Sequence, residues 1–198
     1  MRYNLEQVKK EIAALLPSAH PEGGEATMLI NARGEKHLDR RSLRWIVRRL
    51  ASLYNLDLAA IRNNYGPLLG RKRYLPIPFT YKLIYLPLSL KAATIPPAAR
   101  LGYISLKDIA GFKANPELNV IILQSGFELF CLNAPATIER RIRDGRLLQK
   151  IMRGEQLKGE NLYHLAKESL SLVAEKRCGT EEIARFTANL LHYLTKNL

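Results

Sequence analysis

GPLLGRKRYLPIPFTYKLIYLPLSLKAATIPP, residues 66–97, carries Pro67, Pro76, Pro78, Pro87, Pro96 and Pro97 among Tyr, Ile, Leu and Phe. Prolines this closely spaced exclude a long helix, because each removes a backbone donor and clashes with the preceding turn. The β-branched and aromatic residues between them favour extended chain. This stretch therefore reads as the start of a sheet. Downstream, Val120–Leu123 and Phe127–Leu132 flank Gln124-Ser125-Gly126 and predict a β-hairpin. Pro135 opens a helix after Asn133, with Ile138, Ile142 and Leu148 facing a core and Asp144-Gly145 as a candidate interruption.

Upstream, Asp39 precedes an amphipathic helix. Its apolar face is Leu43, Ile46, Val47, Leu50, Leu53 and Tyr54, and Arg41, Arg44 and Arg48 line another face. Asn55 ends it, and a shorter helix is expected over Asp57–Asn64. Ala26–Asn31 reads as a strand and Pro17–Gly24 as a loop. Leu5, Val8, Ile12 and Leu15 predict a helix from Asn4 to Leu16 that Pro17 stops. Beyond residue 153, Leu162, Leu165, Leu172 and Val173 mark one helical face, and Ile183, Phe186, Leu190 and Leu194 mark another. Gly179 and Thr180 lie between them as stop and cap. The expected fold is α+β: a small, mainly antiparallel sheet with flanking basic helices and a C-terminal helical hairpin. Residues 1–153 are read as a basic domain and 154–198 as a neutral appendage for oligomerisation or regulation.

Charge divides the chain along the same line. Residues 36–153 hold 21 Lys/Arg against 7 Asp/Glu, residues 1–35 hold 4 against 5, and residues 154–198 hold 6 against 6. The middle thus carries +14 and the flanks −1 and 0, which together make the +13 of the 198 residues. A solvated helix face accounts for one basic run; three runs between neutral flanks point to a polyanion, most often nucleic acid. The runs are the Arg helix, Arg71-Lys72-Arg73, and the series Arg140, Arg141, Arg143, Arg146, Lys150 and Arg153. The candidate nucleic-acid contacts are Arg41, Arg44, Arg48, Arg71, Lys72 and Arg73, with Arg140, Arg143, Lys150 and Arg153 as a secondary set. Tyr65, Tyr74, Tyr81 and Tyr85 lie near the second run. They are read as packing residues of a half-buried sheet, base stacking being the alternative.

Signals for other classes are weak. His20, His37, His164 and His192 have no partner at metal-ligand spacing, and the carboxylates of the basic middle are scattered. No catalytic residue, metal or cofactor is therefore expected. Gly66-Pro-Leu-Leu-Gly70-Arg-Lys72 is one residue short of a phosphate loop between its glycines, and Pro67 lacks the donor such a loop needs. An apolar content of 47% with 25% charged residues suits a globular fold. No stretch is long and apolar enough to be read as a membrane span, and the charged start is not read as a secretion signal. Cys131 and Cys178 are expected to be reduced, and the expected compartment is the cytoplasm.

Several of these elements, taken in order, resemble the ComK family of competence transcription factors. They are Tyr65-Gly66, Gly70-Arg71-Lys72, Lys82, Ile84-Tyr85-Leu86-Pro87-Leu88-Ser89 and Gly102-Tyr103-Ile104-Ser105. The family has a Tyr-x-Gly-Arg-Lys element, an apolar-Phe-Pro-x-x-Ser element and a Trp-Ile-Ser strand, and Asp39-Arg40-Arg41-Ser42 looks like its upstream Asp-Arg-Ser. The likeness covers about residues 39–153. Tyr103 stands where the family has Trp, and Gly102 where it has a cysteine. The resemblance implies a sequence-specific, nucleoid-associated activator that binds A/T-rich double-stranded DNA as a homo-oligomer. It also implies a C-terminal region recognised by a proteolytic adaptor. The alternative from charge alone is an RNA-binding or ribosome-associated protein.

Overall fold

The structure, a computed structural model, describes residues 4–91, 101–115 and 118–153. A short helix α1 (Leu5–Val8) leads into strands β1 (Ile12–Ala19), β2 (Glu25–Asn31) and β3 (Lys36–Asp39). Helices α2 (Leu43–Leu53) and α3 (Leu58–Leu68) follow, then β4 (Ile77–Thr80), β5 (Leu83–Ser89) and β6 (Leu101–Ser105). A 3₁₀ turn (Leu106–Asp108) precedes β7 (Ile109–Lys113), β8 (Asn119–Leu123), β9 (Glu128–Cys131) and α4 (Pro135–Met152). The fold is α+β, as expected. A six-stranded sheet runs β3-β2-β1-β6-β5-β4, a second sheet runs β7-β8-β9, and every pairing within them is antiparallel.

Alternation along the strands divides the core in two. Leu15, Leu29, Leu83 and Tyr85 face Ile46, Val47, Leu50 and Ala51 of α2 and Ile61 of α3. Ala14, Ile30, Ile84, Leu86, Leu88 and Ile104 face Ile138 and Leu148 of α4 and the inner side of the small sheet. The six-stranded sheet is thus the middle layer. Helices α2 and α3 cover one face; α4 and the small sheet cover the other.

Several local expectations hold. The β2 strand, helix α2 and the hairpin closed by Gly126 (φ +82°) lie where periodicity put them. Asn55 adopts φ +51° and ends α2, and Asp57 caps α3.

Others are corrected. Residues 12–16 form the strand β1, not the second half of a helix. Ile12 to Leu16 are all buried, each facing one or the other of the two packed layers, and such a continuous apolar run suits a strand covered on both faces. Pro17 continues that strand opposite Thr27; β6 pairs only with Ala14 and Leu15, so the proline lies beyond that ladder. Pro87 is placed likewise, opposite Tyr103 and past the residues of β5 that pair with β4. Helix α3 runs four residues further than expected, with Pro67 in its last turn, where it costs a single hydrogen bond. Helix α4 is not interrupted at Asp144-Gly145. A Cβ on Gly145 would come within 2.6 Å of Leu86 Cδ2, so the glycine lets the helix lie close to the sheet. The expected C-terminal hairpin and Cys178 lie outside the described residues; Cys131 is a buried free thiol.

Tyr85 links core and alkaline stability. Its side chain is fully buried, its hydroxyl donates to the Ile12 carbonyl at 2.6 Å, and its ring meets Phe79 edge-on at 5.3 Å. Burial first, then the charges of Asp108 and Tyr54, hold its pKa well above the ordinary tyrosine value. An unfolded tyrosine loses its proton near pH 10 while the folded one keeps it, so stability is full below about pH 10 and declines above it. The expected slope is up to about 1.4 kcal/mol per pH unit for this group. Urea midpoints at pH 9 and pH 10.5 should converge in Tyr85→Phe relative to the parent; an equal loss in both proteins would assign the effect to other groups.

Candidate nucleic-acid interface

Helix α4 starts on an anchored turn. Asn133 Oδ1 accepts from the Ser89 amide at 2.7 Å, and Asn119 Nδ2 donates to the Asn133 carbonyl at 2.8 Å. These bonds fix the helix start against the end of β5. Ile138, Arg141, Asp144, Gly145 and Leu148 are its buried residues. The opposite side shows Arg143, Arg146, Lys150 and the capping Arg153, all exposed, at spacings of three, four and three. That spacing places them in one row, about 15 Å long at 1.5 Å per residue. Glu139 precedes the row and no acid interrupts it. Arg153 also lies over the Tyr81 ring, 5.6 Å from its centroid.

Beside the row, α4 and residues 106–112 enclose a groove of about 700 Å³. Leu106, Ile109, Phe112 and Ile142 supply apolar walls, and Lys107, Arg143 and Arg146 outnumber Glu139 among the charged lining residues.

The second basic run joins this side of the molecule. Arg71 Nε donates to Asp144 Oδ2 of α4 at 2.7 Å, and both side chains are mostly buried. Its amide donates to the Gly66 carbonyl at 2.8 Å, and Gly70 turns the chain with φ +61°. Lys72 and Arg73 follow on the surface. The Tyr74 ring lies 4.9 Å from the guanidinium of Arg141, which donates to the Pro87 carbonyl.

The first basic run does not join it. Arg44 and Arg48 are exposed on α2, across the six-stranded sheet from α4. A single straight duplex lying on one face does not reach the other. Arg41 precedes α2 and is not on its charged face: Nε donates to Asp39 Oδ1 at 2.7 Å and Nη2 lies 2.5 Å from Oδ2. Asp39 is 1% exposed, and the Arg41 carbonyl accepts from Thr27 Oγ1 at 2.7 Å. With its guanidinium 4.4 Å from the Trp45 ring centroid, Arg41 holds the entry to α2. Arg71 is tethered in the same manner.

Two residues outside the candidate set belong to this site. Arg146 fills the gap in the α4 row, a position that helical periodicity alone assigns. Lys107 joins from across the groove, and no sequence signal brings it there. Of Tyr65, Tyr74, Tyr81 and Tyr85, only Tyr85 is a strand residue. Tyr65 packs from α3, Tyr74 precedes β4, and Tyr81 lies in the β4–β5 turn. Among the described residues there is no group of three His, Cys, Asp or Glu side chains able to hold a metal ion, and no helix long and apolar enough to cross a membrane.

Compared with known families, curated proteins and solved structures, the chain matches none of them.

Proposed function

We propose that the protein is a DNA-binding transcription regulator that takes duplex DNA on the α4 side. The observation that carries this reading is the unbroken row Arg143, Arg146, Lys150 and Arg153. Four cations along about 15 Å of rigid helix suit consecutive phosphates of one backbone. Lys107 adds charge across the groove from the row, and Lys72 and Arg73 add exposed charge next to Arg71, which is tied to α4. The regulatory role comes from the ComK resemblance, whose elements Ile84–Ser89 and Gly102–Ser105 are the paired strands β5 and β6. Those strands are core, so they support a shared scaffold, and the DNA contacts are assigned to α4 on charge and exposure. Preference for A/T-rich duplex and self-association through residues 154–198 belong to the same proposal.

The test is fluorescence anisotropy at two salt concentrations on A/T-rich duplex, G/C-rich duplex and hairpin RNA of equal length. The A/T-rich duplex is expected to bind tightest and to keep its lead at the higher salt. Substituting Arg143, Arg146, Lys150 and Arg153 together by Ala should weaken it at least about 100-fold and flatten the log–log salt slope by about 0.9 per lost contact. The triple change Arg44→Ala, Arg48→Ala and Arg49→Ala should leave a short duplex within about threefold of the parent. Tightest binding to the hairpin RNA would replace the DNA reading by the RNA one. Equal loss from both sets of substitutions would remove α4 as the interface.

A further inference from the structure

Arg71, Arg140 and Arg141 lie close together, with Asp144 the carboxylate paired to Arg71. Asp144 stands one helical turn after Arg140 and Arg141 and receives Arg71 from the segment before β4. Asp144 is paired with Arg71, and the charges of Arg140 and Arg71 both act on Arg141, so positive charge is in excess in this largely covered place. Arg141 is 8% exposed. Its hydrogen bond to the Pro87 carbonyl and its stacking on Tyr74 supply neutral partners only. Burial first, then the neighbouring charge of Arg140 and, less, that of Arg71, push its pKa below the ordinary arginine value. Arg140 shows the imbalance most directly: its Nε is buried and has no hydrogen-bond partner. A buried guanidinium N–H without an acceptor costs free energy unless an acceptor arrives from outside.

An acceptor with the right chemistry is a tetrahedral oxyanion. The planar fork of arginine offers paired N–H donors that match two oxygens of a phosphate, and two adjacent forks can hold one group. Tyr74, 55% exposed, covers Arg141 from the outside, and Lys72 and Arg73 stand next to it in sequence on the surface. We propose that Arg140, with Arg71 and Arg141 behind it, forms a phosphate-binding subsite on the flank of α4, separate from the outward row. Phosphate reaches such a site either as a phosphodiester of bound nucleic acid or as a free phosphate group. Only the first of these rests on the nucleic-acid reading above.

The test begins without nucleic acid, on the full chain. Inorganic phosphate at 10 mM, compared with chloride at equal ionic strength, should raise the melting temperature by about 3–5 °C for a site of about millimolar affinity. Arg140→Gln should abolish that rise, and Arg140→Lys, which keeps the charge without the fork, should retain less than about half of it. A phosphate response unchanged in Arg140→Gln, or no response in the parent, overturns the subsite. Duplex binding then identifies the source. A fall of about tenfold in Arg140→Gln assigns a phosphodiester of the nucleic acid, and unchanged duplex affinity with the phosphate response lost assigns free phosphate. A parent that responds to phosphate and binds no duplex keeps the subsite and removes the nucleic-acid reading.

Discussion

Asp144→Ala is expected to cost about 3–5 kcal/mol of stability, although the residue lies on a helix whose outer face is charged and exposed. Asp144 is 8% exposed and accepts from Arg71 at 2.7 Å. Removing it leaves the Arg71 guanidinium without its carboxylate, beside Arg140 and Arg141. The destabilised state then holds three like charges where desolvation is already substantial. It also loses the tie between residues 70–74 and α4, a contact spanning 73 positions of the chain. Urea denaturation should show a lower midpoint with an unchanged slope, and the melting temperature should fall by about 10 °C. The double change Asp144→Ala with Arg71→Met should recover a measurable part of the loss, because it removes the orphaned charge along with its partner. A loss below about 1 kcal/mol in the single variant would mean that Arg71 finds solvent and that the segment needs no tether.

Gly102→Val is expected to be about as damaging, for a steric reason. A Cβ on Gly102 would lie 2.9 Å from the Leu15 carbonyl oxygen of β1 and 2.7 Å from Leu90 Cδ1. The first of these atoms is backbone in the neighbouring strand, so the side chain cannot be accommodated by a rotamer change. Strand β6 would have to withdraw from β1 at the centre of the six-stranded sheet, where Ala14 pairs with Ile104 and Leu15 with Tyr103. Overpacking of this kind costs about 1–3 kcal/mol, and a clash with backbone lies at the upper end of that range. Gly111→Ala is the matched control, since a Cβ there meets nothing within 4 Å and no positive φ is involved. Thermal melts of the two variants should therefore separate widely; a Gly102→Val protein as stable as Gly111→Ala would show that β6 and β1 do not approach as closely as described.

The charged site was partly legible in the sequence. Helical spacing alone places Arg143, Arg146, Lys150 and Arg153 on one row and turns Arg141 toward the core, once the helix is known to run unbroken. As a bare series, Arg140–Arg153 does not show that division: Arg146 belongs to the exposed row, whereas Arg140 is partly buried on its flank. Charge alone marks Arg41 and Arg71 as contacts. Both have carboxylate partners that local sequence reveals unevenly: Asp39 is two residues from Arg41, whereas Asp144 is far from Arg71.

What the sequence determined by itself is what short-range physics governs. Prolines and aromatic residues specified β4 and β5, the Gly126 turn specified the β8–β9 hairpin, and amphipathic spacing specified α2 and α4. Net charge by segment specified that residues 36–153 are the basic part. The tertiary structure decided the rest. Ile12–Leu16 is a strand because both of its faces are covered, and a helical period and a fully buried run are indistinguishable until the covering layers exist. Gly145 sits within a continuous helix because Leu86 approaches it. The two basic helices occupy opposite sides of one sheet because their apolar stripes pack on its two faces, and only that layering separates Arg44 and Arg48 from the α4 row and joins Arg71 to it.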